Sequence, residues 1–292
     1  MTSKEIYTNR ETRNLLNIIR IFSEFNKISS LPTELIINQH SDVVRNSLRR
    51  SDLTVLICAR NEQEDLPKLL YALSKSSLPV NALVVDNGSQ DDTAQIASNL
   101  GATVITEKKP GLIYALQTGF DYVFGELKSK KVLLTDSDCI PTSRWSKIMN
   151  NYLELGRIKR SGGEFFGPMI YFGGGYKDVV RSMGSFALDY ASKILSNRAH
   201  GANAAISIDP NEIILKELSH LADKAKSHPQ YYYLTDYCVK DSVIGSGGVT
   251  EFTFKPDAIV FSKGDRYTTL FSLLYTYLKP GSRKKNYSDH LH

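Results

Sequence analysis

Cysteine is scarce in this chain of 292 residues, and the little there is excludes two classes of protein. Only Cys58, Cys139 and Cys238 occur, far apart and odd in number. They match neither a zinc-ligand spacing nor a disulfide framework, and read as reduced, buried thiols in a cytosolic protein. Long apolar runs are missing too. No stretch approaches the ~18 residues that would cross a bilayer, and the longest candidate, Tyr267 to Leu278, is interrupted by Thr and Ser. Met1 to Asn14 is polar and charged, without the apolar segment of a secretory signal. There is no internal repeat and no low-complexity tract. A strong excess of one charge is also lacking. The net charge of +5 is too small for a dedicated nucleic-acid binder, but suits a protein that handles phosphorylated ligands or touches an anionic membrane.

What remains is ordinary globular material, 41% hydrophobic and 23% charged, enough for a core of normal size. Residues 1–50 form an N-terminal helical extension. Leu15, Leu16, Ile18, Ile19, Phe22 and Phe25 recur at helical spacing, Thr8 or Asn9 can cap the helix, and Ser29, Ser30 and Pro32 end it. Its apolar face is expected to pack on the main domain or on another subunit, which would make the chain a homo-oligomer.

From residue 53 the texture alternates between strand and helix. Leu53 to Cys58, Ala82 to Val85, Thr103 to Ile105 and Lys131 to Leu134 read as strands, the first a nearly continuous apolar run as in a parallel sheet buried on both faces. Glu64 to Ser76, Asp92 to Leu100 and Gly111 to Leu127 read as the helices between them. This β-α order predicts an α/β fold with a mostly parallel central sheet flanked by helices, and ligands at the carboxyl ends of its strands. The second half is less regular. Glu164 to Phe172 and Glu251 to Phe261 read as strands, and Arg181 to Leu195 and Asn211 to Ser227 as helices. Six glycines between Ser161 and Gly175 indicate tight turns or a close approach of the backbone to a ligand.

The chemistry concentrates where the strands end. Asp136-Ser137-Asp138 follows an apolar strand and places two carboxylates at the point where the chain leaves the sheet. Such a pair can offer one carboxylate to a sugar or ribose and the other to a hard divalent cation, Mg²⁺ or Mn²⁺, which completes its shell with phosphate oxygens and water. Ala59-Arg60-Asn61-Glu62 follows the first strand, and Asp86 to Thr93 the second. Asp91, Asp92 and Thr93 read most simply as the cap of the next helix.

These segments, with Pro110-Gly111 and Gly119, stand in the order and spacing of the family 2 nucleotide-sugar glycosyltransferases, which the chain resembles over about residues 53–140. The resemblance implies the GT-A fold, a Rossmann-like α/β domain with a mixed second half for the acceptor. It divides the chain into the extension 1–50, a catalytic domain 51–266 (nucleotide-binding half 51–140, acceptor half 141–266) and a C-terminal helix and basic tail 267–292. It implies an inverting transfer from a nucleotide-diphosphate sugar to a hydroxyl of a saccharide or lipid-linked acceptor, in polysaccharide or glycolipid biosynthesis. The backbone at Ala59 and the side chains of Arg60 and Glu62 would line the nucleoside pocket, and Asp86 would bond the base. Lys109 and Gly111 would reach the same pocket. Asp136 would contact ribose or metal, Ser137 would be a spacer, and Asp138 would ligate the metal.

The catalytic base is placed by the same resemblance at Asp236, at the start of a helix, with Thr235 where relatives carry Glu and Asp241 as competitor. Gly201, Ala202 and Asn203 would lie beside donor sugar and acceptor. His200 reads as structural or solvent-facing. Arg266 and Lys263 could meet the diphosphate. The aromatic segment 267–278 and the basic cluster at 283–285 could rest on the inner membrane surface. The alternatives are a sugar-phosphate nucleotidyltransferase and a non-catalytic nucleotide-sugar-binding protein. The first would carry a glycine-rich loop after its first strand, and Ala59 to Glu64 has no glycine.

Overall fold

The central strand is Thr54–Ala59 (β1), apolar on both faces because both are covered. In the computed structural model the described residues are 3–48, 51–154, 162–172, 182, 201–208, 213–227, 235–253 and 255–263. β1 pairs in parallel with Asn81–Asp86 (β2) on one side and Lys131–Leu134 (β4) on the other, while Thr103–Thr106 (β3) extends the β2 edge. The order β3-β2-β1-β4 reverses direction between β1 and β4, which opens a crevice at their carboxyl ends. Ala204–Ser207 (β8) then runs antiparallel to β4, followed by Gly163–Phe166 (β6) and Val249–Phe252 (β9), to complete seven strands. The first half is thus parallel and the second mixed, as expected.

Alternate residues of β1 serve different cores. Val55, Ile57 and Ala59 pack with Leu66–Ser74 (α4), Thr93–Asn99 (α5) and Trp145–Leu153 (α7). Leu56 faces the other layer, where Leu112–Phe120 (α6) and the later helices Ile213–Leu218 (α8), Leu221–Ser227 (α9) and Thr235–Gly245 (α10) lie. Gly119 of α6 is where helix meets sheet, since a Cβ there would run into the Leu56 side chain. The expected helix Gly111 to Leu127 is α6 followed by a wider π-helical turn, Asp121–Glu126. The expected helix Asn211 to Ser227 is two, separated by a turn at Ser219 and His220.

Each of the two long strands expected in the second half is also split. Glu164 to Phe172 becomes β6 and Met169–Phe172 (β7), and Glu251 to Phe261 becomes β9 and Val260–Lys263 (β10). Pro168 and Pro256, which lack a backbone N–H for the ladder, stand at the breaks. The two segments cross together. β6 pairs with β9 in the large sheet, and β7 with β10 in a second sheet that Cys139–Pro141 (β5) completes. The expected helix Arg181 to Leu195, apart from Ser182, and the segment Tyr267 to Leu278 lie outside the described residues.

The N-terminal region comprises Ser3–Ser29 (α1), Thr33–Gln39 (α2) and Ser41–Leu48 (α3). α1 packs on its own chain, by only one edge of the face its periodicity picks out, where Phe22 and Phe25 meet Phe261. Leu15, Leu16, Ile18, Ile19 and Phe22 are exposed, whereas Ile21 is buried beside Ile140, Ile259 and Phe261, with Phe25 and Ile28 against them. The docked face is partly polar, which hides it from a purely hydrophobic reading. Asn17 donates to Asp257 (3.0 Å), Arg20 pairs with Asp257 and Glu24, and Ser143 donates to Glu24 (2.9 Å). The helix already runs from Ser3, so neither Thr8 nor Asn9 begins it.

Candidate active site

Register brings the singled-out carboxylates to one edge of the sheet. Asp86 is the last residue of β2 and stands opposite Ala59, the last of β1. β4 ends at Leu134, opposite Leu56, and the Thr135 N–H continues to the Leu56 carbonyl (3.4 Å). Asp136 to Asp138 therefore rise beside the end of β1. One ligating atom each from Asp136, Asp138 and Cys139 lie within 4.8 Å of one another. Asp138 is buried and Asp136 half-buried, with Ser137 buried between them.

Electrostatics agree with this crowding. Burial first, and Asp136 second, push the Cys58 thiol up. Burial, then Asp138 and Asp136, push Cys139 well above its ordinary value, while hydrogen bonds with Ser262 and Thr135 oppose the rise. Cys139 donates to Asp138 Oδ1 (3.7 Å). The two carboxylates of the cluster offer oxygen donors, a set that fits a hard Mg²⁺ or Mn²⁺ ion.

The loop after β1 is laced to the loop after β2. Asn61, at φ +56°, takes a left-handed turn, donates from its N–H to Ser89 Oγ (3.0 Å) and accepts from the Gln90 N–H (2.8 Å). The N–H of buried Glu62 donates to Thr93 Oγ1 (2.8 Å), and the N–H of Gln63 to Asp91 (3.3 Å). Asp91 also accepts from the Thr93 N–H (3.0 Å), so Asp91 and Thr93 are spent on the helix start and the loop joint. Arg60 is exposed beside them. Asp86 accepts a long bond from the Ser89 N–H (3.3 Å).

The third loop hangs on Asn87, a residue the sequence pattern left without a role. Its side-chain amide donates to the carbonyls of Glu107 (3.0 Å) and Lys109 (2.7 Å), and its oxygen accepts from the Gly111 N–H (2.8 Å). Gly111, at φ +128°, then starts α6. Lys109 is exposed and lies 3.7 Å over the Tyr114 ring. The available signal was the position of Asn87, one residue beyond a strand end and flanked by a turn glycine.

Gly201–Asn203 forms a 3₁₀ turn entering β8, whose Ala204 pairs with Leu134, so the segment abuts the end of β4. Ala202 is buried. The Asn203 side chain, however, serves the scaffold. It donates to the carbonyls of Pro168 (2.8 Å) and Ala258 (2.9 Å) and accepts from Trp145 Nε1 (2.7 Å). Asp236 stands in the first turn of α10, and Asp241 more than a turn further on. Lys240 beside it is buried, which pulls its pKa down against the influence of Asp241 and Glu164. Lys263, at the end of β10, pairs with Asp65 (2.9 Å) on the β1 loop. Arg266 and His200 lie outside the described residues. So does the basic cluster at 283–285.

Comparison with known proteins follows the same outline. The curated relatives include 4,4'-diaponeurosporenoate glycosyltransferases. That of Staphylococcus haemolyticus is 44% identical over 63 residues, 22% of this chain and 17% of the relative. One from Staphylococcus aureus is 36% identical over 73 residues, 24% of this chain and 20% of the relative. The match thus spans about a fifth of the relatives' length. Among solved structures, glucosyl-3-phosphoglycerate synthase from Mycobacterium tuberculosis, in complex with Mn²⁺, UDP-glucose and phosphoglyceric acid, is similar at 17% identity. It covers 82% of this chain and 80% of that one, with a TM-score of 0.46. The S. aureus TarS fragment in complex with UDP-GlcNAc covers 42% and 35%, at 20% identity and a TM-score of 0.34. The family model described as glycosyl transferase family 2 matches residues 54–163, less than half of the chain but the segment that contains β1 to β4 and every carboxylate of the crevice.

Proposed function

We propose that the chain is an inverting, metal-dependent glycosyltransferase, which moves a sugar from a nucleotide-diphosphate donor to a hydroxyl of a saccharide or lipid-linked acceptor. The observation that carries this reading is the convergence of Asp136 and Asp138 at the β1–β4 crevice, one strand away from Asp86. Residues 51–140 are the donor half of a catalytic domain 51–266, and 1–50 and 267–292 are additions to it. Asp86 bonds the nucleobase, the backbone at Ala59 with Arg60 and Glu62 lines the nucleoside, and Lys109 and Gly111 close that pocket. Asp138, with Asp136, holds Mg²⁺ or Mn²⁺, and Asp136 also reaches the ribose. When bound, the cation neutralises charge on the diphosphate leaving group.

The chain itself supplies position and a proton acceptor. Asp236, in the first turn of α10, takes the proton of the acceptor hydroxyl as that oxygen attacks the anomeric carbon. Asp241 is the weaker candidate because it sits beside Lys240, deeper in the helix. Gly201, Ala202 and Asn203 form the wall next to donor sugar and acceptor, with the Asn203 side chain bracing it from behind. Lys263 of β10 is anchored on the β1 loop by Asp65, and Arg266, three residues later in the sequence, is assigned to the diphosphate.

The test is donor turnover with and without EDTA, across a panel of nucleotide sugars. Turnover that needs added Mg²⁺ or Mn²⁺ is expected, and metal-independent turnover of every donor would remove the role given to Asp138. Asp236→Asn is expected to keep donor binding and lose transfer. Retained transfer would move the base to Asp241 or another acid.

A further inference from the structure

A cavity of about 490 Å³, lined by none of Asp86, Asp136 and Asp138, lies between α1, the end of α4 and β5. That volume is within the ~300–1,000 Å³ range of small-molecule sites. Its walls are apolar: Ile21, Phe25 and Ile28 from α1, Tyr71 from α4, Ile140 from β5 and Phe261 from β10. Ala72, a buried small residue, leaves room where a larger side chain would fill it. Apolar walls without packing partners forfeit dispersion contacts that an apolar chain would restore.

The rim carries charge of one effective sign. Glu24 lines the cavity, but Arg20 neutralises it at 2.6 Å and Ser143 holds its other oxygen. Lys27 and Lys75 also line it and are exposed, and among the described residues neither is paired with a carboxylate. Lys75 rests 4.9 Å over the Tyr71 ring, at the border between wall and solvent. Beyond Lys27 and Ser30 the cavity adjoins a shallower groove along Ile18, Ile19 and Phe22 on the outer side of α1.

We propose that this cavity binds a single-chain amphipathic anion, a fatty acid or an alkyl phosphate, with the chain among Ile21, Ile28 and Phe261 and the head between Lys27 and Lys75. An apolar body with two cations at its mouth matches that chemistry, and a neutral or cationic amphiphile would leave the lysines unanswered. None of the crevice carboxylates lines the cavity, so its binding test is read out independently of sugar transfer.

The test is direct binding to the full chain, by calorimetry below the micellar concentration, of lauric acid, dodecyl phosphate and dodecanol. Binding of either anion, with dodecanol weaker, is expected, and the tighter of the two anions identifies the head group. Lys27→Glu with Lys75→Glu, both on the surface, is expected to weaken the anions about five- to tenfold and leave dodecanol unchanged. Ile28→Trp is expected to fill the cavity and abolish binding of all three, with the fold checked by its melting temperature. No binding of either anion, or full binding by both variants, would overturn the proposal.

Discussion

Asp138 is buried, yet it must stay ionised for the proposed chemistry, and it shares its surroundings with Asp136 and with Cys139, whose thiol is pushed up by burial and by both carboxylates. Two carboxylates this close repel each other, so a divalent cation between them is the natural counter-charge. Asp138→Asn is expected to lower metal-dependent donor turnover by about 100-fold or more, with the fold intact by circular dichroism. Asn87 acts differently, through the third loop. Asn87→Ala removes three hydrogen bonds at a buried site and is expected to cost about 2 kcal/mol in urea unfolding, with weaker donor binding. Asp91 gives a pH signature. Burial raises its pKa, but hydrogen bonds from Thr93 and Gln63 outweigh that and lower it. The folded value thus lies below the unfolded one of about 4, so its contribution is full above that pH and is lost as pH falls through the folded value. Asp91→Asn is expected to flatten the acid limb of the stability–pH curve without changing stability's slope near neutrality.

Strands β1, β2 and β4 were readable at the level of the element because both faces are buried, which writes an unbroken apolar run into the sequence. The crevice was readable for the same reason: its acids follow directly on those runs. The second half was not, because one apolar stretch serves two sheets and only Pro168 and Pro256 mark the change. Asn203 shows the same difficulty in one side chain. Its position beside the crevice suggests contact with a ligand, while its three hydrogen bonds tie Trp145, Pro168 and Ala258 across the junction of the two sheets. Asn203→Ala is expected to destabilise by about 3 kcal/mol, since it leaves an indole N–H and the Ala258 carbonyl without their partner in the interior and takes one of two donors from the Pro168 carbonyl. Gly163 has a stricter constraint. Its φ is +156°, and a Cβ would press on the Val249 carbonyl of the neighbouring strand, so Gly163→Ala is expected to break the β6–β9 pairing and lower the unfolding midpoint sharply. The glycines expected to approach a ligand include, here, one that approaches another strand.

At the scale of the molecule, α1 completes the second sheet, since Phe22 and Phe25 contact Phe261 of β10 at 5.5 and 4.1 Å between ring centroids. Periodicity picked out Phe22 and Phe25 of this seam but not its polar part, the Asn17–Arg20–Glu24–Asp257 network. That seam connects the extension to the turn at Pro256–Ala258, which Asn203 also holds, so the extension braces the second half of the fold from outside. The proposed sugar transfer depends on the crevice taking a nucleotide together with a cation. The most direct measurement is therefore a thermal shift of the full chain with a panel of nucleoside diphosphates, each with Mn²⁺, with Mg²⁺ or with EDTA, repeated on Asp138→Asn. A ligand at about a hundred times its Kd adds ~2.7 kcal/mol. At least one nucleotide is expected to raise the melting temperature only when the metal is present, and to lose that effect in Asp138→Asn. A nucleotide-induced shift that is the same in EDTA, or undiminished in Asp138→Asn, would contradict the account.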